Sequence, residues 1–269
     1  MPRPFFSSMC SAMIRNVFTS GSLFGACLLS SIALASDDPT LPLNNDDALP
    51  SIVLINPNSN TEATHSMANL ARHETIGVAN VIERSNSSAP PLLTTPEDMT
   101  KAASGVVAIG VEAAKDERVV AIIVSAFSDP GLEELREAVD IPVFGIGEEV
   151  FHEAARGGRA FGIVTVTPDQ GLIESFRQKA ADLGYADLYR GTRVTPGDPT
   201  QLVQSPKALD AALAEAVQVS IDEDGAEAVI MGGGPLSASA LRLQPRFDVP
   251  LVVAVSAAAR AAVAAIQGQ

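Results

Sequence analysis

The chain has 269 residues, 46% of them hydrophobic, and 18 Lys+Arg against 32 Asp+Glu give a formal charge of -14. So acidic a balance argues against nucleic acid and anionic membrane surfaces as partners. It still admits a small anionic or amide ligand held by local backbone donors, and with no Trp and two Tyr, aromatic stacking is a minor part of recognition.

Residues 1–35 read as a signal peptide. Arg3 and Arg15 precede an apolar run from Val17, which ends in Ala33-Leu34-Ala35, a small-x-small cleavage pattern. The run is short for a membrane span. Cleavage near Ala35 predicts a periplasmic or secreted protein with no membrane association afterwards. It also removes Cys10 and Cys27, the two cysteines of the chain, so no disulfide is expected. Without the two arginines of that segment, 16 Lys+Arg face 32 Asp+Glu, a balance of -16. Residues 36–49, rich in Asp, Asn and Pro, read as a disordered linker. About 220 residues remain, enough for a substantial core.

From residue 50 the pattern is strand, loop, helix, repeated. Ser51 to Ile55 is an unbroken apolar run, as in a buried parallel strand. Asn56-Pro57-Asn58-Ser59-Asn60 is a turn rich in helix caps, with a helix from Thr61 to about Arg72. A strand is predicted over 77–84, and Thr95-Pro96-Glu97-Asp98 starts a long Ala-rich helix. Strands follow at 119–124 and 141–144. The order then repeats, with strands at 160–166, 187–194, 226–231 and 249–253. Helices are expected after Pro168, from Pro206 to Asp222, and from Ser256 to Ile266. Alternating strands and helices predict parallel sheets with right-handed crossovers.

Asp140-Ile141-Pro142-Val143-Phe144 echoes Asp248-Val249-Pro250-Leu251-Val252 at the same point of each half. The predicted fold class is therefore α/β, with two pseudo-symmetric lobes, each a small parallel sheet flanked by helices, and an inter-lobe cleft. The lobes are 50–155 and 156–269, the last helix being free to pack back on the first lobe.

Ligands bind such sheets at the carboxyl ends of the strands. Four loops belong there: Asn56–Asn60, Ser125–Gly131, Thr165–Pro168 and Gly232–Ser237. Asn58, Ser59, Ser125, Ser128, Thr165, Thr167, Gly232, Gly233 and Gly234 are the expected substrate-binding residues. Helix starts present unpaired N–H groups suited to a carboxylate. Three successive glycines let another group approach the backbone closely, and without a following Lys-Ser/Thr they do not make a nucleotide phosphate loop. Asp129 most simply caps the helix that begins beside it. Glu148 is the expected titrating group, with His152 one turn later on the same face. No spacing suggests a metal site, and no cofactor is expected.

Ile55-Asn56-Pro57-Asn58-Ser59, Phe127-Ser128-Asp129-Pro130-Gly131-Leu132, Pro142 to Glu148, and Phe161 to Thr165 resemble, in order, the hydantoin-racemase branch of the aspartate/glutamate/hydantoin racemase superfamily. The resemblance spans about 51–265. It implies two α/β lobes with the site between them, and cofactor-free inversion at a carbon next to a carbonyl. In that family one thiolate removes the proton while an opposite thiol returns one. Here the aligned positions hold Ala126 and Gly233. The resemblance therefore implies a racemase/isomerase-superfamily enzyme on a small carboxylate, amino acid or hydantoin-like substrate, with the two-thiol step removed. The alternatives are an exported small-carboxylate binding protein or non-catalytic scaffold, a decarboxylase or lyase on the same scaffold, and a hydrolase using Ser125 or Ser237. A homo-oligomer is left open.

Overall fold

The computed structural model describes residues 49–268 apart from 94, 203, 234 and 235. The expected signal peptide, nearly all of the linker, and Gly234 lie outside the described residues.

The first half runs β1 (Ser51–Asn56), α1 (Thr61–Glu74), β2 (Asn80–Ser85), α2 (Pro96–Ala113), β3 (Val119–Val124), α3 (Leu132–Ala138), β4 (Val143–Gly145) and α4 (Ile146–Ala154). The second runs β5 (Phe161–Thr165), α5 (Gln170–Asp182), β6 (Tyr189–Val194), α6 (Pro199–Leu202), α7 (Pro206–Asp222), β7 (Ala228–Met231), α8 (Leu236–Leu243), β8 (Leu251–Val252) and α9 (Ala254–Gln267). Each half forms a four-stranded parallel sheet, ordered β2-β1-β3-β4 and β6-β5-β7-β8. The two orders are the same, which is the internal echo of the sequence made structural.

Both faces of each sheet are covered, so the strands carry apolar side chains on both sides. In the first sheet Val53, Ile55, Ile122 and Val124 pack under α2 and α3, against Val106, Leu132 and Leu135. In the second, Val164, Val229 and Met231 pack under α7 and α8, against Leu209, Leu213, Val217 and Ala240.

The remaining faces are covered by exchange. Ile52, Leu54, Ala121 and Ile123 of the first sheet meet α1 and also Val255, Ala258, Ala259 and Ala262 of α9. Phe161, Ile163, Ala228 and Ile230 of the second sheet meet α5 and also Val150, Phe151 and Ala154 of α4. The last helix of each half therefore lies against the sheet of the other, and α4 and α9 pack on one another. The alanines of α9 allow that close approach. Arg260 of α9 bonds Glu74 of α1 at 2.9 Å and lies 3.8 Å from Glu153 of α4.

Some boundaries differ from the sequence reading for local reasons. β2 begins at Asn80 because Val78 and Ala79 close a turn onto the Thr75 carbonyl. β8 is only two residues long. Beside it, the Gln244 side chain donates to the Val249 carbonyl at 3.0 Å and accepts from Leu251 N at 2.8 Å, as a neighbouring strand would.

Candidate functional site

Parallel pairing brings the ends of β1 and β3 to one edge of the first sheet, and those of β5 and β7 to one edge of the second. The loop after β1 is largely self-satisfied. Buried Asn56 donates through Nδ2 to Asn58 Oδ1 at 2.9 Å, to the Asn60 carbonyl and to Thr64 Oγ1. Asn58 Oδ1 also accepts from Asn60 N, and Asn60 caps α1 by accepting from Ala63 N. Ser59 N donates to the Pro90 carbonyl at 3.3 Å. Asn58 thus holds the loop shape with its carbonyl oxygen.

Sequence reading passed over Asn86, the first residue after β2. It is buried, with 2% of its surface accessible. Its Nδ2 donates to the Pro57 carbonyl at 3.1 Å, and its Oδ1 accepts from Ser88 N and Ser88 Oγ. Gly105 makes room for it, since a Cβ there would lie 2.1 Å from Asn86 Nδ2.

In the second half the row is sparser. Thr165 is buried and its Oγ1 accepts from Thr167 N at 3.3 Å, while Thr167 itself is exposed. Asp169 caps α5, accepting from Leu172 N at 2.7 Å. Thr195 follows β6 as Asn86 follows β2, and donates its N–H to the Thr165 carbonyl. Its hydroxyl oxygen is buried with no partner among the described residues.

The loop after β3 is the centre of the arrangement. Ser125 is buried, donating N–H to the Ile55 carbonyl and its hydroxyl to Met67 Sδ at 3.0 Å. Ala126 and Phe127 are half-exposed and Ser128 is exposed. The N–H groups of Ala126, Phe127 and Ser128 find no acceptor among the described residues, whereas Asp129 N closes the turn onto the Ala126 carbonyl. Three consecutive N–H groups without an acceptor are donors available to a negative charge.

Asp129 corrects the sequence reading. It does not cap α3, whose cap is Gly131 with no side-chain bond. Its carboxylate turns instead to the start of α4, accepting from Gly147 N at 2.8 Å, and to Lys179 of α5 at 2.7 Å. The residue is 7% exposed and has φ +49, a left-handed conformation that Asp tolerates better than most residues. Burial pushes its carboxyl above the usual range, against the pull of the Lys179 ammonium. Both glycines of Gly145-Ile146-Gly147 are explained by this loop. A Cβ on Gly145 would lie 2.5 Å from Asp129 Cγ, and one on Gly147 only 1.9 Å from the Phe127 carbonyl oxygen.

Glu148 and His152 do come together, with Oε1 and Nε2 3.2 Å apart. Glu148 also pairs with Arg136 at 2.9 Å, and His152 Nδ1 lies 2.8 Å from the Tyr185 hydroxyl. The His152 hydrogen bond and the Arg136 charge hold the Glu148 carboxyl at about 2. That bond to Glu148 raises His152. The expected titrating group is thus a firmly ionised carboxylate, and a weak base. The neighbouring Glu149, absent from the sequence reading, is half-buried, and burial pushes its carboxyl upward.

Around the loop after β7, a Cβ on Gly232 would lie 3.0 Å from Ile163 and 3.6 Å from the Phe176 ring. Gly233 has φ +155, and a Cβ there would be in ordinary contact with Leu236, at 3.7 Å. Phe176 also meets Phe127, ring centroids 5.2 Å apart. The loops bearing Ala126 and Gly233 are therefore linked through a single ring of α5.

Residues 52–262 match the family described as Asp/Glu/Hydantoin racemase. The chain belongs to that family. Among relatives of this racemase family, it is 27% identical over 214 residues to a hydantoin racemase of Paenarthrobacter aurescens, covering 78% of this chain and 89% of that one. It is 26% identical over 211 residues to a hydantoin racemase of Rhizobium meliloti, covering 78% and 86%. The fold is shared with the allantoin racemase from Klebsiella pneumoniae, with a TM-score of 0.71 at 24% identity over 81% of this chain and 88% of that one. Arylmalonate decarboxylase shares it more distantly, with a TM-score of 0.57 at 16% identity over 81% and 93%. This ancestry supports a racemase/isomerase-type function.

Proposed function

We propose that the chain acts, without a cofactor, at the carbon next to the carbonyl of a small carboxylate, amino acid or hydantoin-like cyclic amide. The observation that carries this reading is the loop after β3, with three free N–H groups in a family whose relatives are named hydantoin racemases. When a proton leaves such a carbon, charge builds on the carbonyl oxygen, and fixed N–H dipoles lower its energy. Asp129, bound to α4 and α5, keeps that loop in place.

Proton transfer must differ from a two-thiol exchange. Ala126 and Gly233 carry no ionisable group. Glu148 remains as the carboxylate of the site, with His152 as its proton partner, and a carboxylate held near 2 removes protons slowly. The expected activity is slow exchange of one α-hydrogen rather than rapid inversion.

The test is incubation in heavy water with a panel of hydantoins, amino acids and malonates, followed by proton NMR and chiral chromatography. Deuterium should enter the α-position, and Glu148→Gln should abolish this while ligand binding persists. If deuterium enters at the same rate in E148Q, Glu148 leaves the mechanism. Loss of carbon dioxide from malonates would assign a decarboxylase instead.

The second reading is an exported binding protein or non-catalytic scaffold. It is favoured by Gly233, whose φ of +155 suits no side chain, so the loop is shaped for something other than a thiol. Ligands that raise the melting temperature and are recovered unchanged, with no deuterium, decide for it.

A further inference from the structure

We infer that α5 is the element that fixes the two strand-end loops relative to one another, with Phe176 and Lys179 as positioning residues. This rests on the reading that those loops form the site. Phe176 and Lys179 are three apart and so share a face of α5. They grip the loop after β3 at two points two residues apart. Phe176 takes Phe127 by an edge-to-face contact, and Lys179 takes the buried carboxylate of Asp129 at 2.7 Å. The Phe176 ring also rests beside Gly232, on the loop after β7.

The contacts are of two kinds and cross from one half of the molecule to the other. The apolar one sets distance. The ionic one sets orientation, because Asp129 is anchored on its other side by Gly147 N. A substrate held between the loops needs donors and acceptors at a fixed spacing, and an error of an ångström costs much of the advantage. Nothing within either sheet can fix that spacing, because the loops leave different sheets. α5 belongs to the second half yet touches both loops. Loosening it should free the loops without unfolding the strands beneath them.

The test is amide hydrogen exchange, read by mass spectrometry on the ligand-free full chain. In Lys179→Met, the hydrogen-bonded amides of Ser125, Asp129, Gly232 and Gly233 should exchange about tenfold faster or more, while those of β1, residues 51–56, keep the parental rate. Phe176→Leu should loosen both loops in the same way. Lys179→Arg should return exchange toward the parent, which loss of packing alone would not explain. If Lys179→Met fails to fold, Asp129→Asn/Lys179→Met buries no unpaired charge and answers the same question. Unchanged exchange at Ser125 and Asp129 in these variants, or an equal rise at β1, overturns the inference. Exchange needs no substrate, so a failure to find turnover leaves this result standing, and the reverse holds too.

Discussion

Replacing Glu148 by Gln removes a carboxylate bound at once to Arg136 and His152. Its pKa falls from 4.5 to about 2 in the fold. At about 1.4 kcal/mol per unit, that displacement sets a ceiling of about 3 kcal/mol. The side chain is 19% exposed, so solvent screening reduces the expected loss to about 2 kcal/mol. For a domain of this size that is a drop of about 4–8 °C in melting temperature. A group whose folded pKa is depressed stabilises above its unfolded value and loses that contribution as pH falls through the folded one. The gap between parent and E148Q should therefore be wide at pH 5–6 and close between 4.5 and 2. His152 acts in the other direction. Its raised pKa stabilises fully below 6.5 and fades as pH rises through the folded value, so the gap should also narrow on the alkaline side. Thermal denaturation followed by circular dichroism from pH 2.5 to 9 gives the curve. A gap that stays level across that range, or an E148Q variant as stable as the parent at pH 6, refutes the ion-pair account.

Further outcomes follow from the packing. Gly147→Ala would set a Cβ 1.9 Å from the Phe127 carbonyl oxygen, and should cost about 3 kcal/mol in urea denaturation. Gly157→Ala meets nothing within 4 Å and should cost only the left-handed backbone, about 1 kcal/mol; equal losses in the two would contradict the contact. Phe151→Ala empties a fully buried site of α4 and should cost about 3–5 kcal/mol by the same measurement. With Cys10 and Cys27 changed to Ser, Ala126→Cys should stay within about 0.5 kcal/mol of that parent and react with iodoacetamide while folded. Gly233→Cys should lose about 1–2 kcal/mol through its φ of +155. An unreactive thiol at the first position would place Ala126 away from solvent.

Much of the fold was legible because buried parallel strands are written as unbroken apolar runs, such as Ser51–Ile55 and Val119–Val124. Pro142 and Pro250 mark the same point of both halves. The destination of the helices was not legible. α4 and α9 are rich in small and apolar residues, and nothing in such a run says which sheet it will cover. At the site, Glu148 and His152 were found together because a spacing of four is a local property of a helix. Arg136 and Tyr185 come from distant elements, so the charge state of Glu148 was hidden. Asp129 misled for a related reason. Beside Pro130-Gly131 it resembles a local cap, yet its partners Gly147 and Lys179 are 18 and 50 residues away.

The traded last helices bear on what a half of this molecule could be. A fragment ending at Ala155 would leave Ile52, Leu54, Ala121 and Ile123 without α9, and Phe151 of its own α4 without a sheet to enter. Neither repeat is an autonomous building block, despite its complete set of strands. A single ancestral repeat could have closed its core only by doubling with a twin, each lending a helix. Fusion into one chain would make that loan permanent, and hold the two repeats in one fixed register.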